Sequence, residues 1–279
     1  MTVVGTNSAA LRTTNASNSA SAMLGKAMER LSTGKRINSA KDDAAGLGIS
    51  TMMTSQIRGM TQGIRNANDG ISLAQTADGA LGEVTNMLQR MRELTVQALN
   101  GTNDADAKSA IKTEMDQLAV QINDQLTNSS FNGAKLFDGS VASIGIQAGA
   151  NAADQLSITL DDLLGDATLT AIVSAGGSVI DPTAGAFSSA DLAKFDDALS
   201  TISSSRSNFG AMENRLESVV NNLSTQILSL TDSRSRIEDA DFSNETTMLA
   251  KAQILSQAST AMLAQANQSQ QGVMKLIGS

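Results

Sequence analysis

The chain has 279 residues, a length typical of one or two domains. It has no Cys, His, Trp or Tyr, so the usual zinc, haem and iron-sulfur sites, imidazole bases and thiolate nucleophiles are excluded. A net charge of -8 disfavours nucleic acid as a partner, because phosphate neutralisation needs clustered Lys and Arg. We expect no catalytic residue, no cofactor and no metal, but closely packed helices of small and aliphatic residues.

Two further features bear on where the chain acts. No apolar stretch approaches the roughly 18 residues of a membrane-spanning helix, so we expect no membrane partner. The first residues lack the basic region and the apolar run of a cleavable signal. We therefore expect no cleaved signal peptide.

The first predicted helix carries Ala20, Leu24, Ala27 and Leu31 at heptad-like spacing. Two longer aliphatic stripes follow, and Asn100-Gly101 separates them as a turn before a new N-cap. The chain is expected to fold back there into an antiparallel pair. The stripes comprise Ala77, Leu81, Val84, Leu88, Met91 and Ala98, then Ile111, Met115, Leu118 and Ile122.

The middle of the chain has a different pattern. Short segments of period two, around residues 143–146 and 156–160, follow the turn dipeptides Asn132-Gly133 and Asp138-Gly139, which predicts a small β-hairpin element. Residues 165–190 lack periodicity and contain the single Pro, so we expect an exposed connector or a very small appended element there.

From Phe195 to Ile237 a long heptad seam returns, with Arg206, Glu213 and Arg234 in phase. The fold class is therefore predicted as mainly α: a long antiparallel helical bundle or coiled coil built from both chain ends, with the β element in the middle. The predicted bundle core comprises Leu81, Leu88, Leu118, Leu199, Leu216, Leu223 and Leu230.

The C-terminal segment continues the spacing with many small residues. Such seams bury little apolar area, so neither terminal helix is expected to be stable alone. The two ends could pair with each other in a monomer or contact neighbouring subunits, and composition leaves both open. The stripe comprises Met248, Ala252, Leu255, Ser259, Met262, Ala266, Ser269, Val273 and Leu276.

Three pairs of adjacent carboxylates, at 42–43, 161–162 and 196–197, are the nearest approach to acid-base chemistry. Neighbours on a helix point apart, so helix caps or solvated faces are the favoured interpretation. The glycines at 46 and 48 follow no strand, and the acidic stretch 161–166 lacks calcium-loop spacing.

Long strings at both ends carry a specific resemblance. LSTGKRINSAKDDAAGLGIS (31–50), RNANDGISLAQTADGAL (65–81) and LQRMRELTVQALNGT (88–102) closely resemble the N-terminal part of bacterial flagellin. SRIEDADFSNETTMLAKAQILSQASTAMLAQANQ (235–268) is similar to the C-terminal signature of that family. Together the matches cover most of residues 1–160 and 195–279.

This resemblance implies an extracellular subunit that polymerises into the flagellar filament, its terminal segments disordered when free and folded on assembly. It implies an inner domain at 1–42 and 240–279, a helical domain at 43–164 and 191–239, and the connector 165–190 in place of a variable outer domain. The implied self-assembly seam comprises Leu24, Leu31, Leu255, Met262, Val273 and Leu276.

The resemblance also implies partners: other flagellins, cap and hook-junction proteins, and an export chaperone at the C-terminal segment. Arg90, Leu94 and Glu114 fall on positions that contact the vertebrate innate receptor in the family. Arg90 and Leu94 are i, i+4 neighbours on one helix face, and the Asn100-Gly101 turn can bring Glu114 alongside them. Packing between neighbouring subunits is the favoured primary role of that face, and both roles can share one surface. The alternative identities are a hook-filament junction protein or another secreted coiled-coil protein.

Overall fold

The computed structural model describes residues 6–184 and 187–277, and only the backbone of 273–277. In these ranges helices dominate, as predicted, and three antiparallel strand pairs lie between α3 and α5. The helices are α1 Ser8–Thr33, α2 Ala44–Ala98, α3 Ala105–Asn128, α4 Ala167–Thr170, α5 Ala190–Glu238 and α6 Phe242–Ile277. The strands are β1 Ser130–Phe131, β2 Ala134–Lys135, β3 Ser143–Gln147, β4 Gln155–Thr159, β5 Val173–Ser174 and β6 Gly177–Ser178.

The chain divides into two compact units. The terminal unit comprises Met1–Gln56 with Leu228–Ser279, and the central unit comprises Ile57–Ile227. Both divisions fall inside continuous helices, α2 and α5, whereas the sequence placed boundaries at 42 and 240. A boundary inside a helix leaves no turn signal in the sequence, because backbone hydrogen bonding continues through it.

In the terminal unit, local hydrogen bonds fix the ends of α1. The side chain of Asn7 accepts the amide N–H of Ala10 at 3.0 Å. Gly34 ends the helix at φ +71°, a left-handed conformation that glycine adopts without a steric penalty, and its N–H donates to the carbonyl of Arg30. Asp42 then accepts the amides of Asn38 and Ser39, which orders the loop before α2.

In the central unit, α2 ends at Ala98, and α3 begins after Asp104, whose carboxylate accepts the amide of Ala107 at 2.8 Å. The predicted Asn100-Gly101 turn is therefore confirmed. The predicted Asn132-Gly133 turn is also present, with φ +49° and +84° at its two residues, and it joins β1 to β2.

The core of the central unit is aliphatic and brings together α2, α3, α5 and the segments between them. Of the predicted core residues, Leu81, Leu88 and Leu216 are fully buried, and Leu118 and Leu199 pack partly buried against them. The two remaining predicted core residues lie outside the main core of the central unit. Leu223 is buried outside the main cluster, and Leu230 is half-buried in the terminal unit.

The predicted hairpin, β3 with β4, lies on one face of α2. That face presents Gly59, Gly63 and Gly70, and a Cβ at Gly63 would stand 2.8 Å from the carbonyl carbon of Ala148. Within the same face, the Asn66 side chain donates to the carbonyl of Gln147 at 2.8 Å. The missing side chains therefore make room for the backbone of residues 146–150, and one amide fixes its position.

The prediction of an exposed connector at 165–190 is wrong for about half of the described residues, which are buried or half-buried, and the alternative of a very small element is closer. Leu169, Ile172 and Ile180 are buried in the central core, and β5 and β6 contact α3. The amide of Ser178 donates to the Asp116 carboxylate of α3 at 3.0 Å. Apolar residues that follow neither a period of two nor one of 3.6 can still fill a gap beside a helix. The absence of periodicity therefore did not mean that the segment is exposed. Residues 185 and 186 lie outside the described residues.

Candidate assembly surface

Helices α1 and α6 pair antiparallel in the terminal unit. Near one end of the pair the Asn7 side chain donates to the carbonyl of Ala266 at 3.2 Å, and near the other Arg30 forms an ion pair with Glu245 at 2.8 Å. Between these contacts the buried positions are small: Ala20 and Ala27 on α1, Ala252 and Ser259 on α6. Small seam residues let the helices approach closely but remove little apolar area from water.

The Arg30–Glu245 pair is the most enclosed ionic contact at this seam. Glu245 is buried, and the Arg30 Nε is buried without a hydrogen-bond partner among the described residues. Lys26, on the same helix, pairs with Asp42 at 2.9 Å. This ion pair and the amides of Asn38 and Ser39 hold the pKa of Asp42 well below its ordinary value, although partial desolvation acts in the opposite direction.

The terminal unit exposes a large amount of apolar surface. Leu255 is 38% exposed and Met262 61%. Among the described residues, only Val96 and Val179 in the central unit are large apolar side chains of comparable exposure. The exposed large apolar residues of the terminal unit are Leu11, Met23, Met28, Ile49, Met52, Leu228, Phe242, Met248, Ile254, Leu255 and Met262.

The predicted C-terminal stripe divides into two faces. Ala252 and Ser259 are buried, whereas Met248, Leu255 and Met262, spaced by seven residues, are exposed. The expectation of one continuous seam is therefore wrong, because a single partner helix covers only part of a wide apolar stripe. On α1, the predicted seam residues Leu24 and Leu31 are half-buried. The side chains of Val273 and Leu276 lie outside the described residues.

The second predicted surface lies on α2 and α3 of the central unit. Arg90 forms ion pairs with Glu114 at 2.9 Å and with Glu93 at 3.2 Å, and these contacts raise the pKa of Arg90. The Asn100-Gly101 turn thus brings Arg90 and Glu114 together as expected. Leu94 is only 2% exposed and belongs to the core, so its predicted place beside Arg90 on an exposed face is wrong. Four residues along a helix is 400°, and the 40° offset is enough to turn Leu94 inward.

Charged residues in phase with the α5 seam have specific partners. Arg206 pairs with Asp78 of α2 at 2.7 Å, and this contact raises the pKa of Arg206. Desolvation, with the nearby Asp78 and Glu217 carboxylates, raises the pKa of Glu213. These polar positions interrupt the aliphatic stripe without leaving Arg206 unpaired.

The adjacent carboxylates serve structural contacts. Asp43 accepts the amide of Gly46 at the start of α2, Asp162 accepts the amide of Gly165, and Asp196 pairs with Arg92 at 2.9 Å. Among the described residues, no group of three or more acidic, His or Cys side chains is arranged to hold a metal ion. None of the described helices combines the length and hydropathy that a membrane span requires.

Both ends of the chain match a known protein family. Residues 4–142 match the family described as the bacterial flagellin N-terminal helical region, and residues 192–277 match the bacterial flagellin C-terminal helical region. Flagellin of Bacillus subtilis (strain 168) is 43% identical, over 97% of this chain and 98% of that protein. The chain belongs to the bacterial flagellin family.

A second curated relative agrees with this chain in length as well as sequence. Flagellin of Halalkalibacterium halodurans is 45% identical, covering 90% of this chain and 91% of its own length. The crystal structure of Bacillus cereus flagellin aligns at 30% identity and a TM-score of 0.49, over 57% of this chain and 88% of that one. This flagellin is therefore a structural subunit of the extracellular flagellar filament, and the comparisons do not favour the alternative of a hook-filament junction protein.

Sequence reasoning missed two features of this flagellin. The first is the face of α2 that receives the hairpin, for which glycines at 59, 63 and 70 on one helical face were an available signal. The second is the division of the α6 stripe. Only its mixture of small and large residues hinted that the small positions face α1 while the large ones remain exposed.

Proposed function

We propose that this flagellin polymerises through the terminal unit, whose exposed apolar side chains become buried against neighbouring copies as α1 and α6 complete their folding. The observation that carries the proposal is the exposed row Met248, Leu255 and Met262. A seven-residue apolar repeat is the seam of a coiled coil, and a seam of this kind requires another helix.

The energetics of the α1–α6 pair support the same conclusion. Among the described residues of the terminal unit, the fully buried apolar side chains are Ala20, Ala27, Ile37 and Ala252. Ordering a backbone residue costs about 1–2 kcal/mol. A core of this size therefore leaves the α1–α6 pair only marginally stable. Full burial of each exposed Leu, Met or Phe would add about 1.5–3 kcal/mol. Assembly thus offers stabilisation that the isolated subunit lacks.

The test uses Leu255→Asp in the full-length subunit, added to fragments of filament as seeds. If Leu255 becomes buried, the introduced carboxylate loses its hydration, at a cost of several kcal/mol. Elongation, followed by light scattering and electron microscopy, should stop. Thermal unfolding of the central unit should not change, because Leu255 lies outside it.

The matched control is Gln257→Asp, which adds the same charge two residues further along α6 at another exposed position. Two residues turn a helix by about 200°, so this carboxylate lies away from the apolar row. We expect this variant to elongate. Normal elongation of Leu255→Asp would contradict the proposal, as would equal failure of both variants.

Before assembly, the same exposed rows of α6 are suited to an export chaperone, which would cover Met248, Leu255 and Met262 and keep free subunits from associating. The proposal includes export of the subunit without a cleaved signal peptide. It also includes contacts with cap and hook-junction proteins at the ends of the filament. An Asp at 255 should then weaken chaperone binding too, measured by calorimetry with the flagellar export chaperone of the same cell.

The exposed Arg90 and Glu114 pair is proposed as a contact between central units of neighbouring copies, and for the vertebrate innate receptor. Its similarity to the family segment and its exposure support this role. Arg90→Ala should weaken both elongation and receptor signalling by the monomer, whereas Arg92→Ala, which removes an equivalent ion pair with Asp196, serves as control. Unchanged elongation would contradict the subunit contact, and unchanged signalling the receptor contact.

A further inference from the structure

The methionines of this flagellin are distributed unevenly between the two units. Among the described side chains, those in the central unit are buried or half-buried: Met60, Met87, Met91, Met115 and Met212. In the terminal unit, five methionines are exposed, by 42% to 62%: Met23, Met28, Met52, Met248 and Met262. Only Met53 is half-buried there.

The exposed methionines lie on three helical segments of the terminal unit that carry exposed apolar side chains. Met23 and Met28 lie on α1, Met52 at the start of α2, and Met248 and Met262 on α6. Met248 and Met262 are also the two outer members of the seven-residue row around Leu255. Leucine would serve packing equally well at these positions, but it lacks the oxidisable thioether.

Exposure and position together give these thioethers a chemistry that the other exposed side chains of the described residues lack. The sulfur lone pair attacks one oxygen of hydrogen peroxide, the O–O bond breaks, and an S–O bond forms. After proton transfer the second oxygen leaves as water, so methionine loses the two electrons that the peroxide gains. The product sulfoxide is polar, chiral and enzymatically reducible.

We propose that Met23, Met28, Met52, Met248 and Met262 form a reversible oxidation site that controls assembly. Sulfoxides on the free subunit prevent polymerisation, and polymerisation in turn shields the thioethers from oxidant. The inference rests on the proposed assembly surface, because a sulfoxide prevents assembly only where the methionine must become buried in an apolar contact.

The deciding experiment uses the wild-type subunit, half-oxidised with hydrogen peroxide, freed of oxidant and added to filament seeds. Polymer and unincorporated subunits are separated by sedimentation, and sulfoxide at each methionine is measured by mass spectrometry. We expect the five exposed positions to be depleted of sulfoxide in the polymer by about tenfold. Met87 and Met212 should carry equal sulfoxide in both fractions.

Two variants separate oxidation of these sites from general damage. Replacing the five exposed methionines by Leu keeps an apolar surface, so elongation should survive peroxide treatment. Met87→Leu with Met212→Leu should remain sensitive to peroxide. Reductases acting on both sulfoxide epimers should restore elongation of oxidised wild type. If the fivefold variant fails to elongate untreated, the pairs on α1 and α6 are replaced separately, and each should reduce the sensitivity.

Equal sulfoxide at the five positions in polymer and supernatant would overturn the inference, whatever the variants do. Normal elongation of fully oxidised wild type would overturn it as well. In both cases untreated subunits still elongate, so the proposed assembly function stands. Only a failure of untreated wild type to add to seeds would count against that function itself.

Discussion

The terminal and central units are both helical, yet they are stabilised in different ways. The central unit encloses Leu, Ile, Met and Phe side chains from three long helices and from the segments between α3 and α5. In the terminal unit the α1–α6 seam buries alanine and serine, and the Arg30–Glu245 ion pair fixes one end of it while the hydrogen bond from Asn7 to Ala266 fixes the other. One unit is stabilised by its own core, while the other retains an apolar surface for neighbours.

This difference teaches how one chain can be both a stable subunit and a polymerising one. A large buried core makes the central unit independent of assembly. The terminal unit keeps its large side chains exposed, so most of the hydrophobic stabilisation available to it comes from other copies. Substitutions in each unit, and acidification, should therefore have effects of different size.

The largest effect is expected in the central core. Leu88→Ala should lower the free energy of unfolding of the subunit by about 3–4 kcal/mol, because Leu88 is fully buried and leaves a cavity. Leu228→Ala, at an exposed position of the terminal unit, should change it by less than about 0.5 kcal/mol. Urea unfolding of both variants measures this. Similar losses would remove the contrast between the units.

The second effect concerns the face of α2 beneath the hairpin. Gly63→Ala should destabilise the central unit by about 1–3 kcal/mol, because its Cβ would displace the backbone at Ala148. Gly79→Ala, on the same helix with open space around it, should stabilise by about 0.5–1 kcal/mol. Opposite signs in urea unfolding are the expected result. A neutral Gly63→Ala would show that the hairpin can move away freely.

The third effect concerns the ion pair between α1 and α6 in the terminal unit. Glu245→Gln leaves the enclosed Arg30 guanidinium without its carboxylate, which should cost the α1–α6 pair about 1–3 kcal/mol. Hydrogen exchange of α1 amides, followed by mass spectrometry, should become faster. Glu29→Gln removes the same charge from an exposed position of α1 and should leave exchange unchanged. Equal rates in both variants would mean that the ion pair does not hold the helices.

The smallest effect is a pH dependence at the end of α1. The Lys26 ion pair holds the pKa of Asp42 below its unfolded value of about 3.9, so its contribution to stability is complete above that pH. As the pH falls below about 4, toward the folded pKa, that contribution is lost. Exchange of α1 amides, corrected for the intrinsic rate, should accelerate on acidification in wild type and less in Asp42→Asn. The same acid response in Asp42→Asn would assign it to other carboxylates.

Local signals allowed much of the fold to be predicted. The Asn132-Gly133 turn is formed as expected, because both residues tolerate the positive φ that the turn requires. The Asn100-Gly101 turn is also formed, and there the Asn100 side chain accepts the amide of Thr102 at 3.3 Å. The aliphatic stripe containing Leu81 and Leu88 placed the central core correctly, since a long period of 3.5 residues implies a buried helical face.

Predictions that needed a partner surface were less accurate. Leu94 was expected beside Arg90 on an exposed face, but the 40° offset between the two positions on α2 turns Leu94 into the core. A connector was predicted around Leu169, Ile172 and Ile180, because the spacing of these residues matches the period of neither a helix nor a strand. They are buried because they fill space beside α3, which no local pattern encodes.

A helical bacterial flagellin whose ends form weak seams can be recognised from the amino-acid sequence, because heptad spacing, small seam residues and long family strings are local and additive signals. Which half of each stripe is covered follows from the packing of the helices against one another. Ala252 and Met248 belong to one apolar stripe, yet one packs against α1 and the other remains exposed. Close approach of two helices selects small residues at their contact and leaves the large ones outside, where a neighbouring subunit can reach them.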